Sequence, residues 1–496
     1  MSGKLYLETF GCQMNVLDSE LVLSQLRAHG FEPVEDRDRA DVILYNTCSV
    51  REHAEQKVWS RLGELRERKR REPGLVIGVI GCMAERDGKD IFKRHPHVDV
   101  LCGPGELDKL AQLVCNAVVT GRQTDGKRRR QVALMGSNVR RSGTLEAAED
   151  HLELLDLSRS ISAQDSAQQA YVRITRGCNK FCTYCVVPYT RGPEVHRPPD
   201  NVIEEVRRLV EAGAIEVTLL GQTVNHYCYK HGDGRTTSFA DLLYRIHEVV
   251  PDLPRLRFVT SFPRDFDDDA LAAMRDCRRI CRYLHIPAQS GSDRILNLMN
   301  RGYTASEYRD LIARARAMMS DLCIASDFIV GFPTETDEDF QKSVELIRHC
   351  RFKNSFIFKY SPRPGTVGFK RFLDDVPDEV KRRRNNELLA AQQEVCAENN
   401  RQLIGKTVEV LVEGQSKLAA KRAYPRGGAV EMGWENRDAS TGAAARTQLT
   451  GRTRGDQVVA FDGDSSLIGQ LVDVEIADAR NLTLFGKLAT IESATG

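Results

Sequence analysis

The chain has 496 residues, enough for about three domains. Hydrophobic residues make up 41% of it, and 71 basic side chains balance 70 acidic ones, so its formal charge is +1. This balance excludes a polyelectrolyte, and any nucleic-acid surface must come from a local patch. No apolar run approaches the ~20 residues of a membrane span. The start, MSGKLYLETFG, lacks a signal-peptide layout. Fourteen cysteines then indicate a reducing, cytoplasmic compartment, in which metal binding or catalysis outranks disulfides.

The first predicted domain covers residues 1–118 and alternates strands with helices. Apolar runs predict strands at residues 4–10, 41–46, 75–80 and 99–101. Helical spacing of apolar residues predicts helices at residues 16–29 and 54–65. This alternation is typical of a parallel α/β sheet.

Three cysteines follow three of these predicted strands: Cys12, Cys48 and Cys82. In an open parallel sheet the carboxyl ends of the strands meet at one edge, where ligands bind. We therefore expect the three thiols to converge. The residues alone leave two interpretations open, a three-thiolate metal site or cysteines that pack as small hydrophobes.

Residues 119–168 are predicted to be a linker, because a basic, glycine-containing stretch replaces the apolar periodicity. An acidic, leucine-containing segment at residues 145–157 predicts one short helix. The segment is therefore expected to be a solvated connection.

The next predicted domain, residues 169–397, repeats strand and helix six times. Strands are predicted at residues 171–175, 215–220, 256–260, 283–286, 324–330 and 355–360. Helices lie between them, for example at residues 202–212 and 308–319. Six such units predict a partial TIM-type (β/α)6 barrel, whose chemistry lies at the carboxyl ends of its strands.

A second set of cysteines, Cys178, Cys182 and Cys185, follows the first strand of this predicted barrel at CxxxCxxC spacing. Gly177 allows a tight turn at the end of that strand. Structural zinc usually takes two CxxC pairs, and no second pair follows at that distance. A cubane cluster held by three thiolates leaves one iron open to another ligand. The spacing therefore favours an iron–sulfur cluster.

The last predicted domain, residues 402–490, has short strands without helices, at residues 407–412, 457–461, 470–476 and 482–488. This pattern predicts a small β-barrel. Lys417, Arg452 and Arg454 supply cationic groups that can contact RNA phosphate.

The CxxxCxxC loop after a first strand resembles that of radical S-adenosylmethionine (SAM) enzymes. The string GCNKFCTYCVVPYTRGPE at residues 177–194 resembles the methylthiotransferase family. The strings TFGCQMNVLDSE, NTCSVREHAEQKVWSRLG and GVIGCMAE resemble the N-terminal domain of the same family. The resemblance implies a 4Fe–4S cluster on Cys178, Cys182 and Cys185 that binds and cleaves SAM. It also implies an auxiliary 4Fe–4S cluster on Cys12, Cys48 and Cys82.

The residues after Cys12, Gln-Met-Asn, resemble the branch of the family that acts on isopentenyladenosine in tRNA. A sister branch that modifies a ribosomal-protein aspartate tends to Pro-Lys-Asn there, and one that modifies threonylcarbamoyl-adenosine tends to Lys-Val-Asn. The resemblance thus implies methylthiolation of C2 of N6-isopentenyladenosine beside the anticodon. One SAM would supply the methyl group and a second SAM the radical. The sister branches remain alternatives, as does a non-catalytic iron–sulfur sensor that binds RNA.

The resemblance also implies contacts to SAM. The turn with Gly221, Gln222 and Asn225 corresponds to the motif at its methionine end, and Tyr184 to an aromatic position near its adenine. Gln289 and Ser290 are candidates for ribose or methionine contact.

Other implied features concern RNA and partners. The tail resembles the TRAM domain, an RNA-binding module, with an apparent insertion at residues 418–448, and Arg191 is expected to contact RNA phosphate near the cavity. Phe262 stands where the family is expected to have His. The expected partners are tRNA carrying isopentenyladenosine, an electron donor such as flavodoxin or ferredoxin, and a sulfur donor. We expect a monomer and no membrane association.

Overall fold

The computed structural model describes residues 3–49, 52–121, 130–135, 142–159, 161, 168–416, 447–480 and 482–489. Within these ranges the chain forms a parallel sheet domain, an open barrel of parallel strands and a closed barrel whose pairings are antiparallel except that of Val458–Gly463 with Thr483–Leu488, in that order. The predicted α/β fold class is confirmed.

The first sheet has the strand order β2-β1-β3-β4-β5-β6, and every pairing in it is parallel. Its strands are β1 (Gly3–Thr9), β2 (Phe31–Pro33), β3 (Val42–Thr47), β4 (Val76–Gly81), β5 (Val100–Cys102) and β6 (Gln131–Ala133). Every residue of β3 and β4 is buried. Such continuous apolar strands are typical of a sheet that is covered on both faces.

Helices cover both faces of this sheet. They are α1 (Gln13–Ala28), α2 (Glu52–Arg71), α3 (Cys82–Asp87), α4 (Asp90–Arg94) and α5 (Leu110–Gly121). Leu21 of α1 and Val114 of α5 join one hydrophobic core, whereas Val58 and Leu62 of α2 join another. The strand β2 and the helices α3 to α5 were not predicted, since short elements give little periodic signal.

The predicted linker is not a solvated connection where the structure describes it. Residues 131–133 form β6 at the edge of the first sheet. The predicted acidic helix is confirmed as α6 (Ser142–Leu157). Its residues Leu155 and Asp156 are 3% and 2% exposed, because α6 packs between the first sheet and the barrel that follows. The basic stretch at residues 122–129 lies outside the described residues.

The central domain contains two three-stranded parallel sheets, ordered β7-β10-β13 and β14-β15-β16. The strands are β7 (Gln169–Arg173), β10 (Glu216–Leu220), β13 (Arg255–Val259), β14 (Tyr283–His285), β15 (Cys323–Val330) and β16 (Asn354–Lys359). A parallel bridge between Leu256 and Ile280 links the two sheets. The six strands thus form the predicted open barrel.

Short strands and helices surround this barrel. The minor strands are β8 (Thr175–Arg176), β9 (Val195–His196), β11 (Cys228–Lys230) and β12 (Thr236–Ser238). The helices are α7 (Val187–Thr190), α8 (Pro199–Glu211), α9 (Phe239–Val249), α10 (Asp268–Asp276), α11 (Asp293–Leu298), α12 (Ala305–Met318), α13 (Asp337–Cys350), α14 (Val367–Arg371) and α15 (Asp378–Arg401). Capping boxes begin α9, α12 and α13, where Ser or Thr exchanges hydrogen bonds with an acidic residue three positions on.

The C-terminal domain is a closed five-stranded barrel in the order β17-β18-β19-β21-β20. Its strands are β17 (Thr407–Gln415), β18 (Thr447–Thr453), β19 (Val458–Gly463), β20 (Leu471–Arg480) and β21 (Thr483–Leu488). The predicted insertion ends too late, because residues 447 and 448 already belong to β18. Residues 417–446 lie outside the described ranges.

Candidate iron–sulfur and cofactor site

Cys12, Cys48 and Cys82 lie at the carboxyl ends of β1, β3 and β4. The strands that follow β1 lie on opposite sides of it, β2 on one side and β3 on the other, so the strand order switches at β1. Open α/β sheets bind ligands at such a switch point. Cys48 and Cys82 are buried, and the neighbouring Cys48 thiol lowers the pKa of Cys12 to about 6. Burial raises the pKa of the Cys82 thiol, which also interacts electrostatically with Cys12. Three neighbouring thiols form a donor set that fits an iron–sulfur cluster.

Close backbone packing holds these strand ends together. Gly11 has a φ of +139°, and a Cβ there would lie 2.5 Å from Cys48 Cβ. Gly81 has a φ of +90°, and its Cβ would meet Asn46 Oδ1 at 2.5 Å. Asn15 donates through Nδ2 to Asn46 Oδ1 at 2.9 Å, and so braces α1 against β3. Asn15, the third residue of the Gln-Met-Asn string, therefore has a structural role that the sequence did not reveal.

Arg191 is buried and paired with Asp18, and its predicted contact with RNA phosphate stays a prediction. Its side chain is 6% exposed, and its Nη2 donates to Asp18 Oδ2 on α1 at 2.7 Å. Arg173 at the end of β7 binds the other oxygen of Asp18 at 2.8 Å, and Asp156 of α6 at 2.5 Å. Arg191 also acts electrostatically on the thiols of Cys12 and Cys82. The buried chain Arg191–Asp18–Arg173, here called the Asp18 bridge, thus joins the central barrel to the first sheet beside its cysteines.

The cysteine loop, residues 177–185, follows β8. Gly177 has a φ of +65°, and a Cβ there would lie 1.9 Å from Pro193 O, so only glycine fits. The Cys178 amide donates to Gly192 O at 3.2 Å, and the Cys185 amide to Cys182 O at 3.0 Å. Burial raises the pKa of Cys178 to about 11 and also raises that of Cys185. Three thiols in one loop fit a cluster, whose binding would require their deprotonation.

Arg301 lies within this site, although no pattern in the sequence pointed to it. It is 5% exposed, and its Nη1 lies 3.4 Å from Cys182 Sγ and 3.5 Å from the Tyr184 hydroxyl. Its Nη2 donates to Pro287 O, just after β14, at 3.0 Å. Arg301 therefore connects the cysteine loop to the end of another barrel strand.

Phe262 packs against the same guanidinium. Arg301 Cζ lies 4.4 Å from the centre of the Phe262 ring, and Lys180 Nζ lies 5.3 Å from it. Tyr303 contacts the ring edge-on at 5.9 Å between centroids. Lys180 also pairs with Asp265 at 2.5 Å. The ring therefore occupies a cationic setting next to the cysteine loop.

The turn after β10 holds the other predicted SAM residues. A Cβ on Gly221 would lie 2.2 Å from Thr175 Oγ1, so this turn packs closely on β8. Gln222 is half-buried. Asn225 is buried, and its amide is engaged with the Phe262 backbone, donating to Phe262 O at 3.0 Å and accepting from Phe262 N at 2.8 Å. Asn225 therefore braces the turn.

Gln289 and Ser290 follow β14, on the side of the barrel reached by Arg301. Gln289 has a φ of +70°, and its backbone N–H donates to Asp327 O of β15 at 2.8 Å. Ser290 is 1% exposed, and its Oγ accepts from Ser292 N at 3.2 Å. The structure thus places both residues at a strand end. A contact to SAM stays a prediction for them.

The sequence also missed a polar cluster beside the cysteine loop. Glu194, His196 and His226 lie together, with one ligand-type atom of each within 4.8 Å of the other two. Glu194 and His226 are separated by 32 positions in sequence. No spacing motif could therefore have connected them.

The two predicted RNA-binding arginines of the C-terminal barrel lie at its contact with the central barrel. Arg452 is 38% exposed and pairs with Glu413 at 3.0 Å, and Arg454 is 30% exposed and donates to Arg278 O. Arg255 of β13 is fully buried and donates to Arg452 O at 3.0 Å. Lys417 lies outside the described residues. The geometry assigns both arginines to a domain contact, and RNA binding by them stays a prediction.

Family models match all three domains. The Radical SAM superfamily matches residues 172–347. A model described as "Uncharacterized protein family UPF0004" matches residues 4–103, and the TRAM domain matches residues 441–489. The open barrel, its cysteine loop and these matches define a radical SAM enzyme with a C-terminal TRAM domain.

Relatives match over nearly the whole chain, and each is a "tRNA-2-methylthio-N(6)-dimethylallyladenosine synthase". The protein from Rhodopirellula baltica is 46% identical over 99% of this chain and 97% of its own length. Those from Porphyromonas gingivalis and Neisseria meningitidis are 42% and 40% identical over 98% of this chain, and over 95% and 99% of their own lengths. The chain belongs to this family of radical SAM methylthiotransferases. Within the described residues, no helix is long and apolar enough to cross a membrane.

Proposed function

We propose that this enzyme adds a methylthio group to C2 of N6-isopentenyladenosine, next to the anticodon of tRNA. One observation carries the proposal: two sets of three cysteines lie on neighbouring domains that the Asp18 bridge joins. A reaction that needs both a radical and a sulfur source calls for two such centres close together. The names of the relatives support the substrate.

The cysteine loop would hold a 4Fe–4S cluster through Cys178, Cys182 and Cys185. With SAM bound, this centre supplies the radical that an unactivated aromatic C–H bond requires. Arg301 faces Cys182 Sγ at 3.4 Å and fixes the loop against the end of β14. The closely packed turn at Gly221 would bind the methionine end of SAM.

Cys12, Cys48 and Cys82 would hold a second 4Fe–4S cluster, which carries the sulfur. The Arg191 cation favours thiolates there, since it lowers the pKa of Cys12 and counteracts the effect of burial on Cys82. The cation also pairs with Asp18, so its position is fixed. Arg191 is thus a positioning residue for this centre.

The target base lies in a loop of tRNA, where it can be splayed out without opening a long duplex. The TRAM domain would hold the tRNA backbone, and binding should weaken as salt increases. We further infer that a flavodoxin or ferredoxin supplies electrons, that a separate donor replaces the sulfur, and that the enzyme is a cytoplasmic monomer.

The test is a reaction under anaerobic conditions with reconstituted protein, SAM, reductant and isopentenylated tRNA. Mass spectrometry of the digested nucleosides should show the methylthio product. Cys178→Ala should abolish both SAM cleavage and product. Cys12→Ala should abolish product but leave SAM cleavage. Cys228→Ala is the matched control, because Cys228 is exposed on β11.

Other outcomes separate the alternatives. SAM cleavage without a change in this nucleoside would move the substrate to threonylcarbamoyl-adenosine or to a ribosomal-protein aspartate. RNA binding without SAM cleavage, with both clusters present, would favour a non-catalytic sensor. Product from Cys178→Ala would refute the radical role of the cysteine loop.

A further inference from the structure

A carboxylate and two imidazoles meet at the edge of the cysteine loop. Glu194 precedes β9 and His196 ends it, so the two residues, two positions apart, project to one side of an extended segment. His226 comes from the turn after β10. One ligand-type atom of each lies within 4.8 Å of the other two. Two imidazoles and one carboxylate are a donor set that suits divalent transition metals.

Thr223 orients the carboxylate of this cluster. Its Oγ1 donates to Glu194 Oε1 at 2.7 Å, which leaves Oε2 directed to His226 Nδ1 at 2.9 Å. The Glu194 side chain is only 1% exposed. Carboxylates that ligate metals are usually held in this way by a further hydrogen bond.

His196 supplies an observation that an ordinary ion pair leaves unexplained. Its Nδ1 is buried and has no hydrogen-bond partner among the residues that the structure describes. Tyr227 contacts its ring edge-on at 5.6 Å between centroids, which fixes the imidazole. A hydrogen bond between Glu194 and His226 accounts for only two members of the cluster. A metal ion would give His196 a partner as well, and buried polar atoms normally have one.

We propose that Glu194, His196 and His226 bind one divalent transition-metal ion, with zinc as the ion of first choice. Three protein ligands leave a fourth position, which opens toward solvent because the His226 side chain is 44% exposed. The Glu194 amide also donates to Asn179 Oδ1 in the cysteine loop at 3.2 Å. The ion therefore fastens the segment after the cysteine loop to the turn that follows β10. The ion has a structural role, because it holds together two segments that border the cofactor site, and it is separate from both cysteine sets.

The test uses holoprotein with its clusters reconstituted, so that the six cluster cysteines cannot take up the added metal. After treatment with a chelating resin, the protein is titrated with Zn²⁺, and bound zinc and iron are measured by mass spectrometry. We expect one zinc per chain. His196→Ser and His226→Ser should each weaken zinc binding at least 10-fold, with iron content unchanged. His349→Ser is the control, since His349 is exposed in the last turn of α13.

Two further measurements test whether zinc stabilises the fold and whether the hydrogen bond from Thr223 to Glu194 supports zinc binding. Zinc should raise the melting temperature of the wild-type protein but not that of His226→Ser, because an ion stabilises only a protein that binds it. Thr223→Val keeps all three ligands and should weaken zinc binding roughly 10-fold through loss of its hydrogen bond. This milder variant provides a test if either histidine variant loses its clusters.

Three results would overturn the proposal. The wild-type protein could take up no zinc, which leaves an ion pair only. The histidine variants could bind zinc as tightly as the control. Addition of SAM could release one zinc for each SAM bound, which would assign Glu194 to the SAM site. None of these readouts uses the methylthio product, so they are independent of the proposed reaction.

Discussion

Arg191→Met removes a buried cation from the contact between the first sheet and the central barrel. The guanidinium lies 2.7 Å from Asp18 Oδ2, and the two side chains are 6% and 1% exposed. Methionine keeps much of the aliphatic stem, so the change removes charge and hydrogen bonds more than volume.

The loss of stability depends on the ion pair that Asp18 retains. Removing one partner of a buried ion pair typically costs about 3–5 kcal/mol. Arg173 still binds Asp18 at 2.8 Å, so we expect the lower end, about 3 kcal/mol. At about 1.4 kcal/mol per factor of ten, the docked arrangement of the two domains becomes roughly 100-fold less favoured. The pKa of Cys12 should also rise, because the Arg191 charge lowers it.

The assay follows two products in one anaerobic reaction. Formation of 5′-deoxyadenosine from SAM reports the SAM-cleaving activity of the cysteine-loop centre and should change only a few-fold. Methylthio product reports both centres and should fall at least 10-fold. Arg245→Met is the control, since the Arg245 side chain on α9 is 37% exposed and pairs with the exposed Asp200. A wild-type ratio of methylthio product to cleaved SAM in Arg191→Met would refute the reasoning.

Three further predictions concern the two cysteine sites. Gly221→Ala places a Cβ 2.2 Å from Thr175 Oγ1, a strain of about 1–3 kcal/mol, so SAM affinity in a binding titration should fall about 5- to 150-fold. Gly232→Ala is the control and should be neutral, because open space surrounds Gly232. Phe262→His loses cation–π contacts worth about 1–2 kcal/mol, so the melting temperature should fall by a few degrees. The two cations within 5.3 Å of the ring should keep the new imidazole neutral, so the product yield should stay constant from pH 6 to 8. A change in yield across that pH range would contradict the neutral imidazole. In cluster-free protein at pH 7, iodoacetamide should alkylate Cys12 before Cys178, as measured by peptide mapping. The pKa values of about 6 for Cys12 and about 11 for Cys178 give about 90% and about 0.01% thiolate. Equal alkylation rates would contradict this difference in pKa.

The sequence by itself determined the three domains, their fold classes and the family. Continuous apolar runs such as Val42–Thr47 are long enough to predict buried parallel strands, and both strand periodicity and CxxxCxxC spacing are local properties of the chain. The place of the six candidate cluster cysteines at strand ends could be predicted for the same reason, since each set follows predicted strands. The short edge strand at residues 131–133 gave no comparable signal, and the helix at residues 142–157 gave no hint that it packs between domains.

Tertiary structure alone decided what the charged side chains do. Arg191 was predicted to contact RNA, but packing buries it against Asp18, a residue 173 positions away. Arg301 reaches Cys182 across 119 positions, and Glu194 reaches His226 across 32. A charged residue gives the same local signal whether it faces solvent or a buried partner. Its role is set by which distant segments the fold brings within hydrogen-bonding distance, and no local pattern carries that information.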